Sequence, residues 1–282
     1  MAIRNIATRL ITRNFSSSSV VPQKGTRPFQ VAIDGPAASG KSTTAKMVAQ
    51  RLGFDYIDTG AFYRCVTLAA LSKGIDPSNP SQALQISNLA ESSHIGLKTI
   101  FSTTSASKSS LPTTKVFLDS KDVSFEIRTG TVSKHVSAVA AIGPVREAVL
   151  QKVRDMGATS ISQESNSGRD GLVMDGRDIG TVVLPNADLK IFLVADSRVR
   201  AERRLQELAR SGSKEEVLDI ETVQKDLERR DELDRTREVS PLRKADDAVE
   251  LDTSLLTIEG QVDAIVQEVH RRQQAASSSS SQ

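Results

Sequence analysis

Residues Val31 to Thr44, VAIDGPAASGKSTT, constrain the fold of this chain more than any other stretch. An apolar, strand-like run, Val31-Ala32-Ile33, meets Gly35. From there Gly35, Pro36, Ala37, Ala38, Ser39, Gly40, Lys41 and Ser42 satisfy G-x-x-x-x-G-K-[ST] at every fixed position. Thr43 follows, and Ala45, Val48, Ala49 and Leu52 recur at helical spacing. The pattern therefore lies in the strand–loop–helix context of a phosphate-binding loop. Small residues let successive backbone N–H groups converge on phosphate oxygens, and the helix N-terminus adds partial positive charge. Lys41 would reach the β- and γ-phosphates, and the Ser42 hydroxyl would ligate Mg²⁺. A Gly-rich turn before an amphipathic helix shares the look of this stretch but does not require its fixed positions. The chain is expected to bind a nucleoside triphosphate.

Bulk composition narrows the partners. A net charge of +2 over 282 residues argues against binding a polyanion, so no nucleic acid is expected. No apolar run is long enough to cross a bilayer, so no membrane partner is expected either. The single cysteine, Cys65, excludes an intrachain disulfide and reads as a small buried apolar residue. A monomer is expected.

The two ends differ from the body. Residues 1–27 carry Arg4, Arg9, Arg13, Lys24 and Arg27, no acidic residue, and the run Ser16 to Ser19. Ile3, Ile6, Leu10 and Ile11 would share a helical face opposite the arginines. This is the composition of an organelle transit peptide, the bland alternative being a disordered tail. Arg13-Asn14-Phe15-Ser16 resembles a mitochondrial processing site, which places the mitochondrion ahead of the plastid and the cytoplasm. Residues 273–282 are Ser, Gln and Ala, and read as a disordered tail.

Between the ends, strands and helices alternate. Phe54 to Gly60 reads as a short strand and turn, followed by a helix from Ala61 to about Lys73. Residues 80–92 read as a polar helix. Ile95–Ile100 and Lys115–Leu118 read as strands joined by a low-complexity patch, Ser102 to Thr114. Helical patterning runs through Val132, Val136, Val139 and Ala140, breaks at Gly143-Pro144, and resumes from Val145 to about Ile161. Leu172-Val173-Met174 and Leu189–Val194 read as buried strands. Charged helices are expected over about Arg198–Ser211 and Ile220–Arg237, then a strand at Val249–Leu251 and a helix from Ile258 to Arg271. Such alternation argues for a parallel sheet covered by helices, with ligands at the carboxyl ends of its strands. The phosphate loop, Asp58-Thr59 and Asp175-Gly176-Arg177-Asp178 would gather there.

Arginine placement is the second clue. Arg230 and Asp234 lie four apart in a charge-dense segment that reads, alone, as a solvated helix face. Yet Arg64, Arg128, Arg146 and Arg177 each fall at an element boundary. Phosphoryl transfer between two nucleotides concentrates roughly five or six negative charges, which Mg²⁺ and one lysine cannot offset. Arginine forks meet that demand.

The segments IDGPAASGKST, DTGAFYR, EIRT, GPVREAVL, DGRDIGTVV, IFLVA and RRDELDRTREVSPL, in this order, resemble the cytidylate kinases of bacterial type, in the nucleoside monophosphate kinase group. The similarity spans about Val31 to His270. It implies ATP-dependent, Mg²⁺-requiring transfer of the γ-phosphoryl group onto CMP or dCMP. It implies a three-layer α/β/α P-loop fold over residues 28–272 with a five-stranded parallel sheet. A β-containing monophosphate-binding insert at about 94–126 and a helical lid at about 198–218 go with it. By the same resemblance Thr59, Arg64, Arg128 and Arg177 bind the acceptor phosphate, while Ser137, Arg146 and Asp178 read the cytosine. Arg230 and Asp234 hold the ribose, Arg237 neutralises phosphate, and Arg203 or Arg204 of the lid act as water-excluding clamps.

The base assignment agrees with elementary chemistry. Cytosine offers an amine donor beside N3 and O2 acceptors, so Asp178 can accept while Arg146 and Ser137 donate; uracil would set a carbonyl against the carboxylate. Other acceptors, UMP, AMP or shikimate, would leave Asp178 and Arg146 unexplained. A non-catalytic nucleotide-binding scaffold would leave the whole acceptor set unexplained. Lys41→Ala is expected to abolish transfer with the fold intact, because this lysine acts on phosphate charge; steady-state turnover beside circular dichroism checks it, and near-normal turnover would refute the role.

Overall fold

The computed structural model describes residues 27–101, 111–161, 170–210 and 219–279. The transit-like residues 1–26, the patch 102–110, the lid segment 211–218 and residues 280–282 lie outside them.

In chain order, β1 (Phe29–Asp34) leads through the phosphate loop into α1 (Lys41–Leu52). There follow β2 (Asp55–Asp58), α2 (Thr59–Ser72), α3 (Ala83–Ser92), β3 (Ile95–Ile100), β4 (Thr113–Leu118) and β5 (Lys121–Asp122). The remainder is α4 (Gly130–Ala141), α5 (Gly143–Ile161), β6 (Gly171–Asp175), β7 (Leu189–Val194), α6 (Ser197–Arg210), α7 (Ile220–Thr236), β8 (Val249–Asp252) and α8 (Ile258–Ser279). Five strands form one sheet in the order β2-β6-β1-β7-β8, and every pairing in it is parallel. The expected three-layer architecture is therefore present.

Strand alternation explains the layers, because successive side chains leave opposite faces of the sheet. Val31 and Ile33 of β1, Val173 of β6 and Ile191 and Leu193 of β7 pack with Val48 of α1 and Val262, Ile265 and Val269 of α8. Ala32, Leu172 and Met174 face the other way, onto Phe62 and Val66 of α2, Ile86 of α3 and Val149 and Val153 of α5. A smaller antiparallel sheet, β3-β4-β5, lies within the stretch where an insert was expected. It is seated on α2 through Ala61, Cys65, Val116, Val123 and Ile127. Cys65 is fully buried there, and burial pushes its thiol up to about 12.

Several boundaries differ from the sequence expectation. Helix α2 begins at Thr59, two residues early, because Asp58 caps it by accepting the Ala61 N–H at 3.1 Å. Helix α5 begins at Gly143, with Pro144 in its first turn, where a missing N–H costs nothing. The tail is corrected as well: α8 continues to Ser279, so residues 273–279 are helical. Gln273, Gln274, Ala275 and Ala276 favour helix, and the Ser277 and Ser278 hydroxyls donate back to the Gln273 and Gln274 carbonyls at 2.9 and 2.7 Å.

The exit from β1 sets where the phosphate loop lies. Gly35 has φ +148°, and a Cβ built there would stand 2.2 Å from the Leu193 carbonyl oxygen of β7. The loop thus leaves the sheet by passing against a neighbouring strand's backbone, which cannot yield. Gly35→Ala is expected to destabilise by at least about 2 kcal/mol and to lower the melting temperature by roughly 4 °C or more. Calorimetric melting checks this, and an unshifted transition would contradict the close approach.

Candidate functional site

The carboxyl ends of β1, β2 and β6 open onto a cavity of about 410 Å³, within the range of small-molecule sites. The phosphate loop forms its floor from Ala37 to Thr43. Gly35 and Pro36 lie behind, shaping the loop rather than lining the cavity. Two residues of the loop adopt left-handed backbone, Ala38 at φ 56° and Gly40 at φ 92°. Backbone of this kind can turn successive N–H groups toward an anion, although the Ala37 N–H is taken by Asp231.

Lys41 is almost wholly buried and donates to the Pro36 carbonyl at 2.5 Å and to Ser39 Oγ at 3.4 Å. Burial, and then the nearby Arg177 charge, press its ammonium well below the usual lysine range, against the pull of Asp175, Asp231 and Asp34. Phosphate arriving at the loop would favour the charged form. Ser42 Oγ donates to Asp175 Oδ2 at 2.7 Å, and the Tyr56 hydroxyl donates to Asp175 Oδ1 at 2.6 Å. Burial, then the Asp58 charge, push the Asp175 carboxyl upward. A hydroxyl beside a carboxylate at the loop is a hard-oxygen pair of the kind Mg²⁺ takes alongside nucleotide phosphates. Among the described residues no cluster of three or more His, Cys, Asp or Glu side chains would hold a metal without such phosphates. Sequence reasoning named Ser42 for the metal and placed Asp175 near the loop without giving it a role, although a carboxylate closing an apolar strand run was its visible signal.

Opposite the loop stand the arginines. Arg64, on α2, donates to the Ile127 carbonyl at 2.9 Å and Ser133 Oγ at 3.0 Å. Arg128 donates to the Ser124 carbonyl. Arg177 gives Nε to Asp234 Oδ2 at 2.9 Å, and Arg237 Nη1 lies 3.7 Å from Asp234 Oδ1. Arg237 Nε also donates to the Ser240 carbonyl at 2.7 Å. Asp234 is thus engaged by Arg177 and Arg237, and Arg230 shares its charge at longer range.

Arg64, Arg128, Arg177, Arg204, Arg230 and Arg237 all line the cavity with Asp234 and Thr59. Thr59 Oγ1 donates to the Asp175 carbonyl at 2.8 Å. Burial first, and then the mutual repulsion of these cations, pushes the guanidinium of Arg64 down, with Arg230, Arg204 and Arg128 as its neighbours. Burial and then Arg177 do the same to Arg230, and burial and then Arg146 to Arg237. Arg230 Nε and Arg237 Nη2 are buried donors without a hydrogen-bond partner. Such donors are costly unless something accepts from them.

At the far end, Arg146 Nη2 donates to Asp178 Oδ2 and Nη1 to the Ala140 carbonyl at 3.0 Å; Asp178 Oδ1 lies 3.8 Å from Arg237 Nη2. Both side chains of the Arg146–Asp178 pair are buried, and Ser137 of α4 stands in the same wall. The Tyr63 ring lies 5.3 Å from the Arg146 guanidinium carbon, a cation–π contact that sequence reasoning did not pick out. Burial pushes the Tyr63 hydroxyl up to about 12.

One expected residue falls elsewhere. Arg203 is not in the cavity wall. It is held behind the loop, donating to Thr253 Oγ1 at 3.0 Å and to the Thr253 carbonyl at 2.5 Å. Helical spacing put it one position from Arg204, and that rotation turned it toward β8. Arg204 lines the cavity with Glu207, its partner at 3.2 Å.

Residues 31–271 match the family described as "Cytidylate kinase". Among curated relatives, the cytidylate kinase of Chloroherpeton thalassium is 46% identical over 241 residues, covering 85% of this chain and 92% of that protein. Those of Pelodictyon phaeoclathratiforme and Bacillus licheniformis are each 43% identical, covering 89% and 86% of this chain and 99% and 97% of theirs.

A buried cluster of cations with unpaired donors should be stabilised by an anion. Inorganic tripolyphosphate at about a hundredfold over its dissociation constant is expected to add about 2.7 kcal/mol. Melting temperature read against tripolyphosphate and chloride checks it, with no difference between the salts as the contrary result.

Proposed function

Because the chain belongs to the cytidylate kinase family, we propose that it transfers the γ-phosphoryl group of ATP to CMP and dCMP, giving ADP and the nucleoside diphosphate. The observation that carries the base assignment is the buried Arg146–Asp178 pair in the cavity that also holds the phosphate loop. A carboxylate accepts from the cytosine amine, and the guanidinium beside it donates to N3. Ser137 adds a hydroxyl at the same edge, and Tyr63 covers the pair from the side.

The chemistry asks little of any base. An oxygen of the acceptor phosphate attacks the γ-phosphorus as the bond from that phosphorus to the β–γ bridging oxygen breaks, and ADP carries the electron pair away. Charge spreads over the transferring oxygens, so positioning and electrostatic stabilisation are what the protein supplies. Lys41 is placed to follow the β- and γ-phosphates, and Arg177 and Arg237 line the same cavity. Arg64, Arg128 and Thr59 suit the acceptor phosphate, and Arg230 with Asp234 the sugar. Ser42, with Asp175 beside it, would hold Mg²⁺, which would supply charge neutralisation to the phosphates. Arg204 lines the cavity, and its position suits a lid arginine that excludes water.

Other parts of the reading rest on sequence. Delivery to an organelle, the mitochondrion ahead of the plastid, is supported by the acid-free, Arg- and Ser-rich residues 1–27. No described helix is long and apolar enough to cross a membrane. A monomer without nucleic-acid partners remains the proposal, on the balanced net charge.

A steady-state comparison of CMP, dCMP, UMP and AMP tests the function. CMP and dCMP are expected to lead, with UMP behind by about tenfold or more, since a mismatched base edge costs about 1–3 kcal/mol. UMP equal to CMP would overturn the base assignment and return it to another nucleotide acceptor. Asp178→Asn is expected to shrink the CMP-over-UMP ratio of kcat/KM, and an unchanged ratio would mean that another group reads the amine.

A further inference from the structure

Asp231 lies between the acceptor-side residues of α7 yet faces away from them. Arg230, Asp234 and Arg237 line the cavity. Asp231, a residue beyond Arg230 and so rotated by about 100°, is instead sealed against the phosphate loop. Its Oδ1 accepts the Ala37 N–H at 2.9 Å, and its Oδ2 accepts from Arg200 Nη1 at 2.5 Å. The same Arg200 nitrogen donates to the Ala37 carbonyl at 3.0 Å, while Arg200 Nε donates to the Ala195 carbonyl at 3.2 Å. Both polar groups of the Ala37 main chain are therefore held by one ion pair, whose side chains are 2% and 7% exposed. Ala37, Ala201, Val223 and Leu227 pack around it.

The loop has reason to need holding. Ala38 stands at φ 56°, which an alanine side chain disfavours. Such conformations persist where surrounding structure over-determines them. Ala37 is the residue immediately before it. The hold comes from α6, through Arg200, and from α7, through Asp231, and α7 is also the helix that carries the acceptor-side residues. A shift of α7 toward an acceptor must then either move Ala37 or break a buried ion pair.

We propose that the Asp231–Arg200 pair is a positioning brace that couples filling of the acceptor half of the cavity to the shape of the phosphate loop. The inference rests on the two-substrate reading above. Neither residue lines the cavity; both hold Ala37, and Asp231 also adds its charge to those acting on Lys41. The brace makes the two nucleotides cooperative, each favouring the arrangement of α7 and the loop that the other requires.

The test measures CMP affinity by calorimetry, alone and with a non-hydrolysable ATP analogue, in the wild type, Asp231→Asn, Arg200→Lys and Val223→Ala, with melting curves for each. The wild type is expected to bind CMP about tenfold more tightly with the analogue present. Asp231→Asn and Arg200→Lys are expected to bring that factor to within about twofold of unity, with kcat falling and affinity for CMP alone little changed. Arg200→Lys keeps the charge without the fork, and so serves where Asp231→Asn fails to fold. Val223→Ala loosens the packing around the pair without touching it, and should melt lower with its coupling retained. A wild-type factor in either folded brace variant, an uncoupled wild type, or equal loss of coupling in Val223→Ala would overturn the brace. Coupled binding in a wild type that forms no CDP would instead reject the kinase reading and leave the brace standing.

Discussion

The distance between the Gly35 backbone and the β7 carbonyl at Leu193 sets the geometry on which the other parts depend. Because the loop passes where no side chain fits, its curl begins at a fixed point on the sheet, and the N-terminus of α1 is aimed from there. Lys41 and Ser42 open that helix, so their direction follows from the same contact. Parallel neighbours β2 and β6 then end level with β1 and bring Asp58 and Asp175 to the loop's edge. Helix α8 steadies the other side, where Gln261 Oε1 accepts from Thr44 Oγ1 at 2.7 Å.

Around this origin the site is assembled from like charges. Few buried clusters of arginine are tolerable without compensation, because desolvation and mutual repulsion both oppose them. The protein supplies part of the compensation as Asp178 and Asp234, each shared between two arginines. The remainder is left open, with Arg230 Nε and Arg237 Nη2 buried and without a hydrogen-bond partner. Fold and proposed chemistry thus draw on one electrostatic arrangement: the positive charge left over after internal pairing is of the kind that stabilises a transferring phosphoryl group.

Helix α7 serves two masters on adjacent faces. Its Arg230 and Asp234 belong to the acceptor side and its Asp231 to the loop. Helix α6 divides in the same manner, with Arg204 in the cavity and Arg203 tied to Thr253. Single-residue steps on these helices therefore separate residues that line the cavity from residues that shape the scaffold.

Much of this was legible in the residue order alone. The strand–loop–helix at Val31 to Leu52, the alternation that demands a parallel sheet, and the arginines at element boundaries are local patterns, and local patterns express local geometry. Partner choice is not local. That Asp234 takes Arg177, that Asp231 turns inward to Ala37, that Arg203 reaches Thr253, and that Tyr63 lies beside Arg146 were decided only when distant elements packed. In a segment as charged as RRDELDRTR every acid has several bases within reach along the helix, so spacing cannot rank them. Burial ranks them, because desolvating a charge is tolerated only where a partner from elsewhere in the chain arrives with the right geometry.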